Sequence, residues 1–146
     1  MDEMTRIMEL KKQGFCCSQI LILQGLEMQG KENPDLVRAM RALCNGIGGS
    51  GDVCGALTGG ACVLGLYAGK GTSDEEDNFL LELMVADLIE WFKTEYGEPY
   101  GGIHCIEIVG EQGQHQSRCG GIVAGTIQKV KELLVENGFD LTGGDW

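Results

Sequence analysis

A chain of 146 residues and 15.7 kDa is long enough to bury a core without disulfide staples, so a single domain over 1–146 is expected. Its 11 Lys and Arg against 22 Asp and Glu leave a net charge of −11, which repels phosphate and anionic lipid and excludes nucleic acid and membrane surfaces as expected partners. Glycine, at 24 residues, is about twice its usual share, yet 2 prolines and no triplet period exclude collagen and low complexity. An odd count of 7 cysteines, behind a start with no basic and apolar signal pattern, points to cytoplasmic thiol or metal chemistry rather than a disulfide scaffold.

In chain order, the run Cys17 to Met28 follows the break Gly14-Phe15 and is too apolar for a surface helix and too long for an ordinary strand. A core helix ending near Gly30 is expected. Asn33-Pro34 supplies an N-cap and a proline at the first helical position. Leu36, Val37, Met40, Leu43 and Cys44 then share one face and Asp35, Arg38 and Arg41 the other, which predicts an amphipathic helix of about three turns. The uncharged stretch Val53 to Gly69 sits at the lower limit for crossing a bilayer, but its many glycines make a buried helix from Cys54 to Ala68 the better reading. Ser73 to Glu76 spells a capping box and predicts the start of a long helix carrying Phe79 to Phe92, with its charges in a narrow stripe. A helix so widely apolar belongs at the centre of the fold or in a homodimer interface. Tyr96 to Gln116 reads as loop, its one β-looking run, Ile103 to Val109, being short and interrupted by Glu107. The last helix runs from about Cys119 to Asn137, with Val123, Ile127, Val130 and Leu134 on one face and Gly138 as C-cap. Together these elements predict an all-α compact bundle of about five to six helices around a glycine-rich loop and helix.

The loop Gly46 to Gly51, GIGGSG, matches the dinucleotide fingerprint letter for letter, but that fingerprint needs a β-strand in front and a helix stands there instead. Gly65 to Gly71 likewise falls short of a phosphate loop, so no nucleotide is expected. Small residues four apart, Gly55/Gly59, Ala56/Gly60 and Ala61/Gly65, let neighbouring backbones approach the Cys54 helix closely. Tight helix packing accounts for most of this. The sharper reading is that Gly48, Gly49, Gly51 and Gly55 leave room for a cofactor or another sulfur beside Cys54.

Cys17, Cys54 and Cys119 fall at expected helix starts, where unpaired N–H groups favour thiolate over thiol. Thiolate is the form that ligates metals and attacks disulfides. The chain has no CxxC, which removes the thioredoxin pair, zinc ribbon and rubredoxin knuckle, and no CxxCH, which removes covalent c-type haem. Any metal or cluster must therefore be assembled from distant segments. His104 beside Cys105 and His115 four before Cys119 allow a mixed Cys/His zinc site, against the plainer reading of solvated or hydrogen-bonding loop residues. Cys16, Cys44 and Cys62 read as core fillers, since free cysteine packs as a small apolar group.

Over most of its length the chain resembles the redox-active proteins labelled C-GCAxxG-C-C after their cysteine pattern. The resemblance is carried by Phe15-Cys16-Cys17-Ser18-Gln19, by Cys54-Gly55-Ala56-Leu57-Thr58-Gly59-Gly60 after the glycine loop, and by the later Cys105 and Cys119. One departure is that the label puts glycine before its second cysteine, whereas here Cys54 precedes Gly55-Ala56. The resemblance implies a helical, redox-active or metal-binding protein of the kind found mostly in anaerobic microbes, similar in part to the non-haem portion of split-Soret cytochromes. The leading expectation is that Cys17, Cys54, Cys105 and Cys119 converge, as a thiol/disulfide relay or as ligands of an iron–sulfur cluster or another thiolate-bound metal. Cys54 and Cys17 are then the first choices for reactive thiols, and a redox partner protein is implied. The competing expectation is a non-catalytic dimeric binding or assembly protein with structural or zinc-binding cysteines.

Overall fold

A computed structural model describes residues 2–110 and 115–143, the side chains of 115–117 excepted. It is all-α. Asp2 caps α1 (Glu3–Lys12) by accepting the Thr5 N–H at 2.8 Å, a helix outside the expected set, and Ile7 and Leu10 carry its buried face. The chain turns at Gly14 into α2 (Cys17–Met28), whose bounds match the expectation, and Asn33 caps α3 (Pro34–Met40) by accepting the Leu36 N–H at 3.1 Å. The amphipathic helix is shorter than expected because a 3-10 turn, Arg41–Leu43, ends it.

Asn45, Gly46, Ile47, Gly48 and Gly49 then all adopt positive φ, between 55° and 80°, so the glycine loop forms a left-handed turn closed by Gly48 N–H to Ala42 O (2.7 Å) and Asp52 N–H to Gly46 O (2.9 Å). Glycine enters this region without steric cost, whereas the β-branched Ile47 does not. α4 (Gly55–Ala68) follows and is the hub of the bundle, packing against α2, α5 and α8. Its glycines do what small residues four apart predict. A Cβ at Gly59 would stand 2.9 Å from Ser18 Cα on α2, and one at Gly60 would stand 2.9 Å from Thr126 Cγ2 on α8.

The capping box at Ser73 to Glu76 is a correction. No helix starts there, because Glu75 Oε1 instead accepts the N–H groups of Gly71 and Thr72 and closes a surface turn. α5 (Leu80–Phe92) begins later and buries only the stripe Met84, Leu88 and Phe92, leaving Phe79 and Leu83 exposed, so it lies on the outside of the bundle rather than at its centre. The expected loop from Tyr96 is also largely helical. A π-turn, Lys93–Gly97, and a short α6 (Glu98–Tyr100) extend α5, and α7 (Cys105–Val109) replaces the candidate strand. The last helix, α8 (His115–Glu136), starts one turn earlier than expected, while Gly138 at φ 87° ends it as foreseen. The bundle thus adds α1 and the short α6 and α7 to the five or six helices expected. Among the described residues no helix is long and apolar enough to cross a membrane.

Candidate thiol site

One loop pairing places two of the cysteines side by side. An antiparallel bridge joins Val53 to His104, with Cys54 N–H donating to Ile103 O (2.9 Å) and Cys105 N–H to Asp52 O (2.6 Å). Gly51 makes the approach possible, since a Cβ there would already lie 3.2 Å from Ile106 Cβ. Cys54 thereby caps α4 and Cys105 opens α7, while Cys17 opens α2 and Cys119 sits one turn inside α8, not at its start.

These four cysteines line one cavity of about 130 Å³, together with apolar Ile7, Phe15, Ile20, Ile108, Val109 and Val123 and the cation Lys11. Gly55 also lines it. A Cβ at Gly55 would stand 2.5 Å from Cys17 Sγ and 3.1 Å from Leu43 O, so glycine is what lets the Cys17 sulfur reach the first turn of α4. Gly48, Gly49 and Gly51 do not border the cavity; they shape the turn and bridge behind it. Lys11, Phe15 and the backbone of Asn45 were not singled out from sequence. Phe15 was signalled only by adjacency to the cysteine pair, and Lys11 by nothing, because α1 had no expected place.

The thiols are not the acidified ones that helix starts suggest. Burial pushes the Cys17 thiol up, although the N–H groups of Ser18, Asn45, Cys17 and Gly55 at its sulfur pull the other way. Burial, then proximity to Cys17, raises Cys54 to about 12, against the opposing N–H groups of Ala56 and Leu57. Cys119 rises to about 11 by burial and by the nearness of Cys17 and Cys105, with Lys11 opposing, and burial and Cys17 raise Cys105. The helix-start effect is present, but in an apolar cavity desolvation outweighs it.

The other three cysteines divide. Cys62, expected as a core filler, is half-buried on α4, and its thiol is raised by burial alone. Cys16 and Cys44 are not simple fillers, because they are bonded to each other as a disulfide with Cα atoms 5.9 Å apart. The expectation failed because 28 residues separate them in sequence and only the return of α3 across α2 brings them together.

His104 does not line the cavity. His104 is half-exposed, its Nδ1 2.8 Å from Glu107 Oε1 and its Nε2 3.7 Å from Asp52 Oδ1, so it bridges two surface carboxylates. The side chain of His115 lies outside the described residues. Among the described residues no three His, Cys, Asp or Glu side chains stand close enough to share one metal ion.

The all-helical fold thus gathers four cysteines from four helices into one apolar cavity. The family model described as putative redox-active protein (C_GCAxxG_C_C) matches residues 15–133, and the chain belongs to that family. No curated protein and no solved structure matches the chain significantly.

Proposed function

We propose that Cys17, Cys54, Cys105 and Cys119 hold an iron–sulfur cluster and that the protein exchanges electrons with a partner protein in the cytoplasm. The observation that carries this reading is the convergence of four thiols on one cavity of about 130 Å³. Two features favour a cluster over a single ion. A cluster of several irons spans more space than tetrahedral zinc with its thiolates at about 2.3 Å, so its ligands need not meet at one atom, and among the described residues no three do. The N–H groups of Ser18, Asn45 and Gly55 also point at the Cys17 sulfur, the kind of hydrogen bonding that tunes cluster potentials. When bound, such a cluster supplies one-electron transfer. The protein's own part is to hold the four sulfurs, to donate hydrogen bonds to Cys17, to set Lys11 near Cys119, and to keep water away with Phe15, Ile20 and Val123.

The test is anaerobic purification followed by visible absorbance, iron and acid-labile sulfide analysis, and thiol titration. Brown protein with about two or four irons per chain is the expected result. A colourless protein that takes up no iron when supplied with ferrous iron and sulfide overturns the reading.

A second reading, a dithiol/disulfide relay through the same cavity, is favoured by the Cys16–Cys44 bond beside Cys17. It requires metal-free protein in which reduction raises the titratable thiol count by more than that bond accounts for. The homodimer belongs to the proposal as well, through Phe79 and Leu83, 76% and 54% exposed on α5, and is read by sedimentation of the wild type against Phe79→Glu.

A further inference from the structure

The Cys16–Cys44 disulfide joins the residue that caps α2 to the residue from which the left-handed turn departs. Its two sulfurs are unequally reachable. Cys44 is fully buried, whereas Cys16 is half-buried and faces the thiol cavity. The Ser18 hydroxyl lies 3.4 Å from each sulfur and donates to Met40 O at 2.9 Å. Beyond Cys44, the turn both walls the cavity at Asn45, whose N–H points at Cys17, and holds Ile47 at φ 61°. A β-branched residue persists in that conformation only where surrounding structure imposes it. The turn's own hydrogen bonds, such as Gly49 N–H to Cys44 O at 3.1 Å, hang from the residue that the disulfide anchors.

We propose that Cys16–Cys44 is a redox latch on the thiol cavity, a two-electron couple whose reduction releases the turn 45–52 from α2. The reductant is a dithiol. One of its thiolates attacks the reachable Cys16 sulfur, the S–S bond breaks, and the electron pair leaves on Cys44, which takes a proton from water and as a thiol can donate to the Ser18 oxygen, whose own hydrogen is held by Met40 O. The second thiol of the reductant then attacks the mixed disulfide and releases Cys16 as a thiol. The dithiol is oxidised to its disulfide, and two electrons and two protons end on Cys16 and Cys44. The turn then stays tied at its far end by Cys105 N–H to Asp52 O and Ile106 N–H to Gly51 O, while its near end, around Ile47, keeps only local hydrogen bonds against the backbone cost there, so it opens more often. The latch rests on the geometry of the turn, and it holds whichever group the cavity takes.

The experiment is backbone hydrogen exchange of the full chain before and after dithiothreitol, read by mass spectrometry with the same sample mapped for disulfide-linked peptides. The untreated protein is expected to yield a linked Cys16–Cys44 peptide pair, and reduction is expected to add two hydrogens and to speed exchange across 45–52 about tenfold, with the middle of α5 unchanged. A Cys16→Ser/Cys44→Ser variant is expected to show the fast exchange with or without dithiothreitol. Absence of the linked pair, or unaltered exchange of 45–52 after its confirmed reduction, overturns the proposal. Iron analysis reads the cluster and exchange reads the latch, so the two fail separately.

Discussion

The N-cap of α4 and a position two turns along the helix carry one cysteine each, and only one of them belongs to a site. Cys54 meets Cys17 and Cys119 across an apolar cavity, while Cys62, two turns on, is half-buried with no other cysteine among the influences on its thiol. The glycines differ in the same way. Gly55 is pressed against the Cys17 sulfur, whereas a Cβ at Gly65 would meet nothing within 4 Å. Residue type is shared by both places and burial differs only in degree, so neither by itself marks a functional thiol. What separates them is whether other segments bring their own sulfurs and N–H groups to the same place.

The largest effect should come from removing one convergent sulfur. Cys54→Ser is expected to abolish iron uptake on anaerobic reconstitution, read by visible absorbance and iron content, while Cys62→Ser binds as the wild type does. Equal behaviour of the two variants would erase the distinction between the turns. The same contrast has a signature in metal-free protein. A thiol whose folded pKa is raised stays protonated after the unfolded chain has ionised at about 8.5, so stability is intact below that pH and falls above it, by about 1.4 kcal/mol per pH unit per thiol. With Cys54 at about 12 and Cys119 at about 11, anaerobic urea unfolding should show a steep alkaline loss up to about pH 11, and Cys54→Ala should flatten it more than Cys62→Ala. A smaller effect separates the glycines. Gly55→Ala forces apart the Cys17 sulfur and Leu43 O and should cost about 1–3 kcal/mol, whereas Gly65→Ala should stabilise by about 0.5–1 kcal/mol, both read from urea midpoints.

Much of this contrast is legible in the sequence, because it rests on local signals. Periodicity and caps located α2, α4 and the end of α8, and glycine spacing located the close face of α4. The four cysteines were separable from Cys62 by helix position and by the family pattern, and the structure brings those four to one cavity. What stayed hidden was long-range or competitive. The Cys16–Cys44 bond depends on how α3 returns over α2, which no spacing encodes. The false capping box failed because Glu75 serves two N–H groups of a preceding turn equally well. The thiol pKa direction was misjudged because a helix start is visible in sequence and the apolar wall around it, drawn from α1, α7 and α8, is not.

The smallest effect tests the outer edge of the site. The His104 side chain, through its hydrogen bond, and then its backbone N–H hold the Glu107 carboxyl below its usual range, on an exposed face beside Cys105. A carboxyl with a depressed folded pKa contributes stability above its unfolded value of about 4.3 and loses it as the pH falls through the folded value. Glu107→Gln should therefore lose that contribution at pH 7, a small loss because the pair is exposed, and make the urea midpoint less steeply pH-dependent below about pH 4. Its iron uptake should match the wild type, and so should that of His104→Ala, because the imidazole points to Asp52 and Glu107 rather than into the cavity. Loss of iron in His104→Ala alone would move the boundary of the site outward and make His104 a ligand, at the expense of one of the four sulfurs.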